Sequence, residues 1–378
     1  MSELNKSILP KSKSETTGAG FIAPPIGPPL GLFFIFILLF FFLSALTFSY
    51  IPLRVRERSD LEGKVWVTDL LGRKVAIPAR VQSAATLGST PIINSVLEIL
   101  NQGQTICNRP TKVHDLNGRW KMHKIFAPGL EFKPYLRYNN NDLILENIIT
   151  AKPDISITMT PSYLESIERL NLPIVWVDWA TTELMLKTVS FLGEVFNRTD
   201  RADKFIAYFH DRLNYARNLT SKLNQSKKKS LVYAFPRPYL VPEEPTEALL
   251  AAAGARSLTA ELSRQDRRFY GVEDLLSWDP DIILVVDLAQ AEALKGDVRL
   301  RALRAIKNES FIKVPTVAHM WSGHSLEAPI AALWFIYRLY PEIYSRKELM
   351  AEIISFYQTF FNCQISPTLA QEIIDGGW

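Results

Sequence analysis

The sequence contains little cysteine, little histidine and no excess of charge of one sign. Its two cysteines, Cys107 and Cys363, lie far apart and form no CxxC pair, so thiolate metal sites and redox motifs lack support. The 43 basic residues nearly balance the 39 acidic ones, and the block that stands out is the short run Lys227–Lys229. This balance gives no electrostatic reason to expect nucleic acid as a partner. The spacing of the two cysteines leaves open whether they form a disulfide.

The N-terminus carries a long apolar run, LGLFFIFILLFFFLSALTFSYIPL, over residues 30–53. About twenty such residues form a helix that can cross a hydrocarbon core of roughly 30 Å. We therefore predict a transmembrane anchor or signal segment over 30–53, after a disordered tail over 1–29. An uncleaved anchor is favoured because the run is longer than the usual signal core of about 7–15 residues. In both cases the rest of the chain is exported. Basic residues flank the run on both sides, so the positive-inside rule leaves its orientation open: Lys6, Lys11, Lys13, Arg54, Arg56 and Arg58.

Two segments, one in each half of the chain, follow the same plan. In LENIITAKPDISIT (residues 145–158) and VEDLLSWDPDIILVV (residues 272–286), a short helical pattern meets a Pro-Asp pair and continues as an apolar strand. Proline disfavours helix at the preceding residue, and the apolar run beyond suits a strand buried on both faces. The sequence therefore predicts an α/β fold of two Rossmann-like lobes, over 64–180 and 229–378, with a ligand cleft between them. The helical spacing of apolar residues over 181–223 predicts a long helical connector that joins the lobes.

The stretch SGHSLE, within VAHMWSGHSLEAPIAALW, has three possible interpretations: a nucleophile elbow, a metal site or the rim of a binding cleft. A hydrolase nucleophile elbow needs GxSxG and a histidine later in the chain, but Glu327 replaces the last glycine and no histidine follows His324. A metal site built on His319 and His324 would need three or four ligands, and no HExxH or compact ligand cluster accompanies them. We therefore expect no enzyme, and we expect His319 to be structural.

The third reading places this stretch at the rim of a binding cleft. In open α/β sheets, ligands bind at the carboxyl ends of the strands, where Val317–Met320 would end. Trp321 and His324 would then project toward a large, anionic or metal-chelate ligand, although Trp321 also suits a place in the core. His324 could complete the coordination sphere of a metal that a chelator leaves open, since imidazole binds iron and nickel.

Six stretches resemble the substrate-binding proteins of ABC importers for iron-siderophore, haem and cobalamin, a two-lobed class with a rigid helical backbone. In chain order they are VTDLLGRKVAIP, LENIITAKPDISI, LNLPIVWVD, SFLGEVFNRTDRADKFIAYF, VEDLLSWDPDIILV and APIAALWFIYRLYPEIY. The resemblance runs from about Val67 to the C-terminus. One departure is the first strand-to-helix turn, LGSTPIINSV, which lacks the Thr-Glu pair usual in the family.

The resemblance implies a monomer that binds its ligand between the lobes and delivers it to an ABC permease and its ATPase. A glutamate in each lobe pairs with permease arginines in the family, and Glu146 and Glu273 occupy those positions. We expect an extracytoplasmic or inner-membrane-anchored protein without a cofactor, whose ligand is a metal chelate of the iron-siderophore type. The alternatives are a nickel-complex, haem or cobalamin binding protein of the same fold, or a membrane-tethered sensor.

The expected ligand contacts lie at or near the ends of elements that face the cleft. On the first lobe they are Ser89, Tyr138, Thr160 and Tyr163, and on the second lobe Arg237, Tyr239, Trp321 and His324. Arg237 could pair with a carboxylate or catecholate oxygen pair on the ligand.

Overall fold

The computed structural model describes residues 56–58, 63–88, 91–234, 239–265, 268–321 and 325–377. Residues Arg54–Trp378 form a compact unit of their own. The predicted transmembrane helix over 30–53 and the predicted tail over 1–29 lie outside the described residues. Within the described ranges, no helix is both long and apolar enough to cross a membrane.

The first lobe is built on three parallel strands in the order β4-β5-β6. Every residue of β4 and β5 is buried, as expected for parallel strands that are covered on both faces. An antiparallel sheet, β1-β2-β3, precedes them in the chain. The strands are β1 (Arg56–Arg58), β2 (Lys64–Thr68), β3 (Lys74–Pro78), β4 (Ala84–Leu87), β5 (Ile155–Thr158) and β6 (Ile174–Trp176). The helices are α1 (Ile92–Ile99), α2 (His123–Phe126), α3 (Leu145–Ala151) and α4 (Pro161–Glu168).

The second lobe is built on four parallel strands in the order β12-β11-β7-β9, with a separate two-stranded sheet β10-β8. The strands are β7 (Ser230–Tyr233), β8 (Tyr239–Leu240), β9 (Arg256–Ser257), β10 (Phe269–Tyr270), β11 (Ile282–Val285) and β12 (Phe311–Lys313). The helices that follow the connector are α7 (Glu244–Ala252), α8 (Ala260–Arg264), α9 (Val272–Trp278), α10 (Leu288–Gly296), α11 (Arg304–Lys307), α12 (Ala328–Leu339), α13 (Arg346–Phe361) and α14 (Pro367–Ile374).

Two connector helices, α5 (Thr182–Val195) and α6 (Thr199–Thr220), run between the lobes. Asn197, in the left-handed region at φ 55°, separates them. The helical spacing in α6 buries Phe205, Phe209 and Leu213 on one face, and α6 packs on α12 and α7 of the second lobe. Helix α6 also holds the first lobe, because Arg201 donates to the carbonyl of Ile99 at the end of α1 (Nε–O 2.9 Å).

The repeated Pro-Asp plan produces the same backbone in both lobes. Helix α3 ends at Lys152 (φ 41°) and α9 ends at Asp279 (φ 42°), both left-handed and each followed by proline. A residue before proline is kept out of the right-handed helical region, so both helices end at the same point. A non-glycine residue is strained in the left-handed region, which indicates that the surrounding structure imposes this turn.

The aspartate after each proline ties the strand it begins to the neighbouring strand. Asp154 accepts from the backbone N–H of Gln82 (2.8 Å) and Ser83 (3.1 Å), just before β4. Asp281 accepts from the N–H (2.8 Å) and hydroxyl (2.7 Å) of Ser230, which begins β7. These bonds fix the parallel register at the amino edge of each sheet and leave the carboxyl edges for binding.

Candidate functional site

The two lobes meet at a loop that follows β12, residues 314–321. The ring of His319 in this loop packs edge-on against Trp120 of the first lobe, with ring centroids 5.6 Å apart. The hydroxyl of Ser95, on α1, donates to the carbonyl of Ala318 (3.1 Å). The carboxyl-edge loop of the second sheet is therefore held directly by the first lobe.

Trp120 is the centre of a cluster of three histidines. Its ring centroid lies 5.2 Å from that of His114, 6.1 Å from that of His123 and 5.6 Å from that of His319. Trp120, His123 and His319 are all buried, and His114 is partly exposed. Within the described ranges, no group of three or more His, Cys, Asp or Glu side chains could hold a metal ion. The contact between Trp120 and His319 packs the two lobes together at this cluster.

Two of these histidines have pKa values shifted in opposite directions. Burial lowers the pKa of His114 to about 4, and repulsion from Arg137, His123 and Arg119 acts in the same direction. The Nδ1 atom of His123 forms a hydrogen bond with Oε1 of Glu98 (2.6 Å), and both side chains are fully buried. Burial lowers the pKa of His123, but the hydrogen bond and attraction to Glu98, the attraction to Glu327 and the backbone of Ala318 together outweigh burial and leave that pKa raised. Burial also raises the pKa of Glu98.

Arg137 is a buried cation at the carboxyl edge of the first sheet. It is only 6% exposed, and it donates to the side-chain oxygen of Asn141 (2.8 Å). The carbonyl of Asn141 accepts from the hydroxyl of Tyr163, in the first turn of α4, which begins where β5 ends. In the part of the chain that the structure describes, no carboxylate pairs with Arg137. A buried guanidinium without a counter-charge is costly, and an anion at this edge would offset that cost.

The chain around Arg137 carries an excess of positive charge. Residues 107–137 include seven basic side chains and two acidic ones: Arg109, Lys112, Arg119, Lys121, Lys124, Lys133 and Arg137 against Asp115 and Glu131. Burial lowers the pKa of Lys313, at the end of β12, and repulsion from Arg119 contributes while Asp287 opposes it. Arg119 of the first lobe therefore repels Lys313 of the second lobe, although less strongly than Asp287 attracts it.

The predicted ligand contacts on the first lobe differ in exposure where the structure describes them. Tyr138 is exposed beside Arg137 and is available to a ligand. Thr160 is half-buried and immediately precedes α4. Tyr163 is buried, and its hydroxyl donates to the carbonyl of Asn141, so it stabilises the edge that holds Arg137. Ser89 lies outside the described residues.

On the second lobe the structure places two candidates in the core. Trp321 is fully buried and packs edge-on against Trp334 of α12, with ring centroids 6.0 Å apart. Tyr239 is buried and stacks on Tyr270 at 5.1 Å. Neither ring projects into open space, because α12 and the β8–β10 sheet cover them. Arg237 and His324 lie outside the described residues.

Ser325 does not have the surroundings of a nucleophile. It is 1% exposed, and its hydroxyl accepts from the backbone N–H of Glu327 (3.0 Å), at the start of α12. This geometry agrees with the rejection of the nucleophile elbow in the sequence. Both cysteines are free: Cys107 is half-buried and Cys363 is buried.

Glu146 and Glu273 occupy equivalent places in the two lobes. Each is exposed in the first turn of its helix, α3 or α9. Each helix ends at the turn that leads into the amino end of a strand, so its first turn lies toward the carboxyl edge of the sheet. The exposed side chains of Leu145 and Ile149 accompany Glu146, and Leu276 accompanies Glu273.

Sequence reasoning missed Arg137, Trp120 and the Glu98–His123 pair. A usable signal for Arg137 was the concentration of basic residues over 107–137 in a chain of balanced charge. No comparable signal existed for Trp120 or Glu98, since their partners come from other elements.

Comparisons with known proteins agree with this architecture. The sequence pattern of the periplasmic binding protein family matches residues 107–318. The molybdate-binding protein MolA of Haemophilus influenzae is 22% identical over 358 residues, covering 86% of this chain and 95% of MolA. The structure of MolA with bound molybdate superposes with a TM-score of 0.67 at 19% identity, over 80% of this chain and 99% of that one.

Two further solved structures share the two-lobed α/β fold, which confirms the fold expected from the sequence. A periplasmic solute-binding protein from Veillonella parvula has a TM-score of 0.67 at 20% identity, over 82% of this chain and 96% of that one. Helicobacter pylori CeuE with nickel-histidine has a TM-score of 0.64 at 16% identity, over 81% and 98% of the two chains. The chain belongs to the periplasmic binding protein family, the extracytoplasmic solute-binding components of ABC transporters, and is not an enzyme.

Proposed function

We propose that this protein binds an anionic metal compound, either a metal oxyanion or an anionic metal chelate, and delivers it to an ABC permease. The observation that carries the proposal is Arg137, a buried cation without a described carboxylate partner at the carboxyl edge of the first lobe. Buried guanidinium groups bind oxyanions through paired, directed N–H donors. The excess of basic residues over 107–137 supports the same ligand charge.

A basic edge favours the anionic compounds among the ligands expected from the sequence. Ferric siderophores of the catecholate type and haem carry negative charge and fit the basic edge, and so does a tetrahedral oxyanion. MolA is a molybdate-binding protein, which makes molybdate the first oxyanion to test. CeuE binds nickel-histidine, so that complex belongs in the same panel. A neutral or cationic complex would leave the charge of Arg137 uncompensated.

The test is calorimetric titration of the purified full-length chain. The panel contains molybdate, tungstate, sulfate, a ferric catecholate siderophore, ferric citrate, haem, cobalamin and nickel-histidine. We expect saturable binding of one anionic metal compound, with an affinity that falls as salt concentration rises, since surface and cleft electrostatics are screened. Saturable binding of cobalamin or nickel-histidine alone, or no binding by folded protein, would contradict the proposed ligand class.

The proposed docking contacts are Glu146 and Glu273, one on each lobe. Two exposed carboxylates at matching positions suit a partner with two matching basic sites, and such charges mainly steer and orient docking. The double variant Glu146→Lys/Glu273→Lys should bind ligand with unchanged affinity but fail to stimulate the ATPase of the reconstituted transporter. A double reversal at Glu165 and Glu183, exposed on other helices, is the matched control. Equal stimulation by both double variants would contradict docking through Glu146 and Glu273.

We also propose that residues 30–53 anchor the protein in the membrane. The length and apolar character of this run support a membrane span. The protein should stay in the membrane fraction after alkaline carbonate extraction, and its N-terminus should be retained. Release into the soluble fraction with a new N-terminus after the run would show cleavage instead.

A further inference from the structure

Glu327 directly precedes helix α12, and its carboxylate contacts the loop over residues 314–321. Glu327 is fully buried. Oε1 accepts from the backbone N–H of Ala318 (3.2 Å) and from the hydroxyl of Tyr357 on α13. Oε2 accepts from the backbone N–H of His319 (2.7 Å) and lies 3.4 Å from the hydroxyl of Ser325.

Each carboxylate oxygen therefore holds one backbone N–H of the loop. Burial raises the pKa of Glu327, while the bonds from Tyr357, His319 and Ala318 lower it. Both oxygens can accept these N–H groups whether or not the carboxyl carries a proton, since the hydroxyls of Tyr357 and Ser325 can turn to accept. A glutamine cannot do this. Its amide nitrogen has no acceptor lone pair, so one of the two backbone N–H groups loses its partner in either orientation.

The same two loop residues contact the first lobe. Ser95 donates to the carbonyl of Ala318, and the ring of His319 packs on Trp120. Trp120 in turn packs on His114, whose pKa responds to Arg137. The carboxylate of Glu327 on the second lobe thus fixes the position of residues 318–319 where they pack against the first lobe, next to its basic edge.

We infer that Glu327 is a positioning residue for ligand binding, which holds residues 318–319 against Trp120 and thereby keeps the two lobes at the distance that the ligand requires. This inference rests on the proposed function, because the ligand is placed at the edge that contains Arg137. Glu327 does not itself touch the ligand. Glu327 acts through the loop over 314–321. It chiefly affects the rate of ligand release, since the lobes separate more readily when this loop packs less firmly on Trp120.

The test compares Glu327→Gln with a matched pair elsewhere in the helical region. Tyr208 on α6 donates to Glu352 on α13 (2.6 Å), which is also a tyrosine–glutamate pair but lies away from the loop. Hydrogen exchange of the peptide over 314–321 and the dissociation constant of the anion identified by titration are measured for the wild-type chain, Glu327→Gln and Glu352→Gln. Thermal unfolding of all three shows that each is folded.

We expect Glu327→Gln to lose protection at Ala318 or His319, whichever N–H the amide leaves unpaired, and to bind about tenfold more weakly, mainly through faster release. Glu352→Gln should keep both properties. Glu327→Gln with lost protection and wild-type affinity would refute positioning, as would equal loss of affinity in both variants. If the wild-type chain binds no anion but another ligand of the panel, the ligand class fails while the same comparison with that ligand still tests Glu327.

Discussion

Replacement of Arg137 by methionine should separate ligand binding from stability. The change keeps an unbranched apolar stem and removes the guanidinium of a residue that is 6% exposed and has no carboxylate partner among the described residues. If Arg137 binds an anion, the variant loses affinity. If Arg137 is only a structural residue, the variant loses stability instead.

The expected loss of affinity follows from one charge-assisted hydrogen bond, or a bidentate pair. Hydrogen bonds to charged groups contribute about 1.5–3 kcal/mol, which corresponds to a Kd roughly 10- to 100-fold higher. The ligand-free variant should be as stable as the wild-type chain or more stable, because the desolvation cost of a buried ion is about several kcal/mol. The bond that is lost, to exposed Asn141, can be replaced by water.

The assay measures Kd by calorimetry and the unfolding temperature without ligand. Arg201→Met is the matched control, because Arg201 is a partly buried arginine that, among the described residues, donates only to the backbone carbonyls of Ile99, Thr359 and Phe360. Arg201→Met should lower the unfolding temperature by a few degrees, from about 1–3 kcal/mol of lost bonds, and leave Kd unchanged. A destabilised Arg137→Met with wild-type Kd would refute the reasoning.

Two further predictions concern the buried ionisable groups beside this edge. The pKa of His114 is about 4 when folded and 6.5 when unfolded, so the unfolded chain takes up the proton first and stability should fall as pH drops from 6.5 toward 4. The ring is partly exposed, so the loss is discounted to about 1–2 kcal/mol, and denaturant unfolding across this range should show a flatter profile for His114→Asn. A parallel pH profile of the two proteins would contradict this assignment. Glu98→Gln removes the charge that faces His123 in a fully buried pair, and chemical denaturation should show a loss of about 3 kcal/mol. A change below about 1 kcal/mol would show that the pair contributes no net stabilisation.

The sequence by itself determined the elements that depend on local pattern. The Pro-Asp segments ended α3 and α9 where expected, because proline acts on its immediate neighbour. The helical spacing in α6 buried Phe205, Phe209 and Leu213, because apolar periodicity reports directly on one helix face. Recognition of the family rested on the order of such segments.

Only the tertiary structure decided the composition of the site. Trp321 follows a strand end, which suggested a ligand contact, but Trp334 of α12 and the surrounding core bury it completely. Glu98 and His123 are 25 residues apart and Trp120 and His319 nearly 200, so neither pairing leaves a trace in local spacing. Whether a side chain lines a cleft depends on which distant elements cover it, and that is settled by packing of whole helices rather than by the residue's neighbours in sequence.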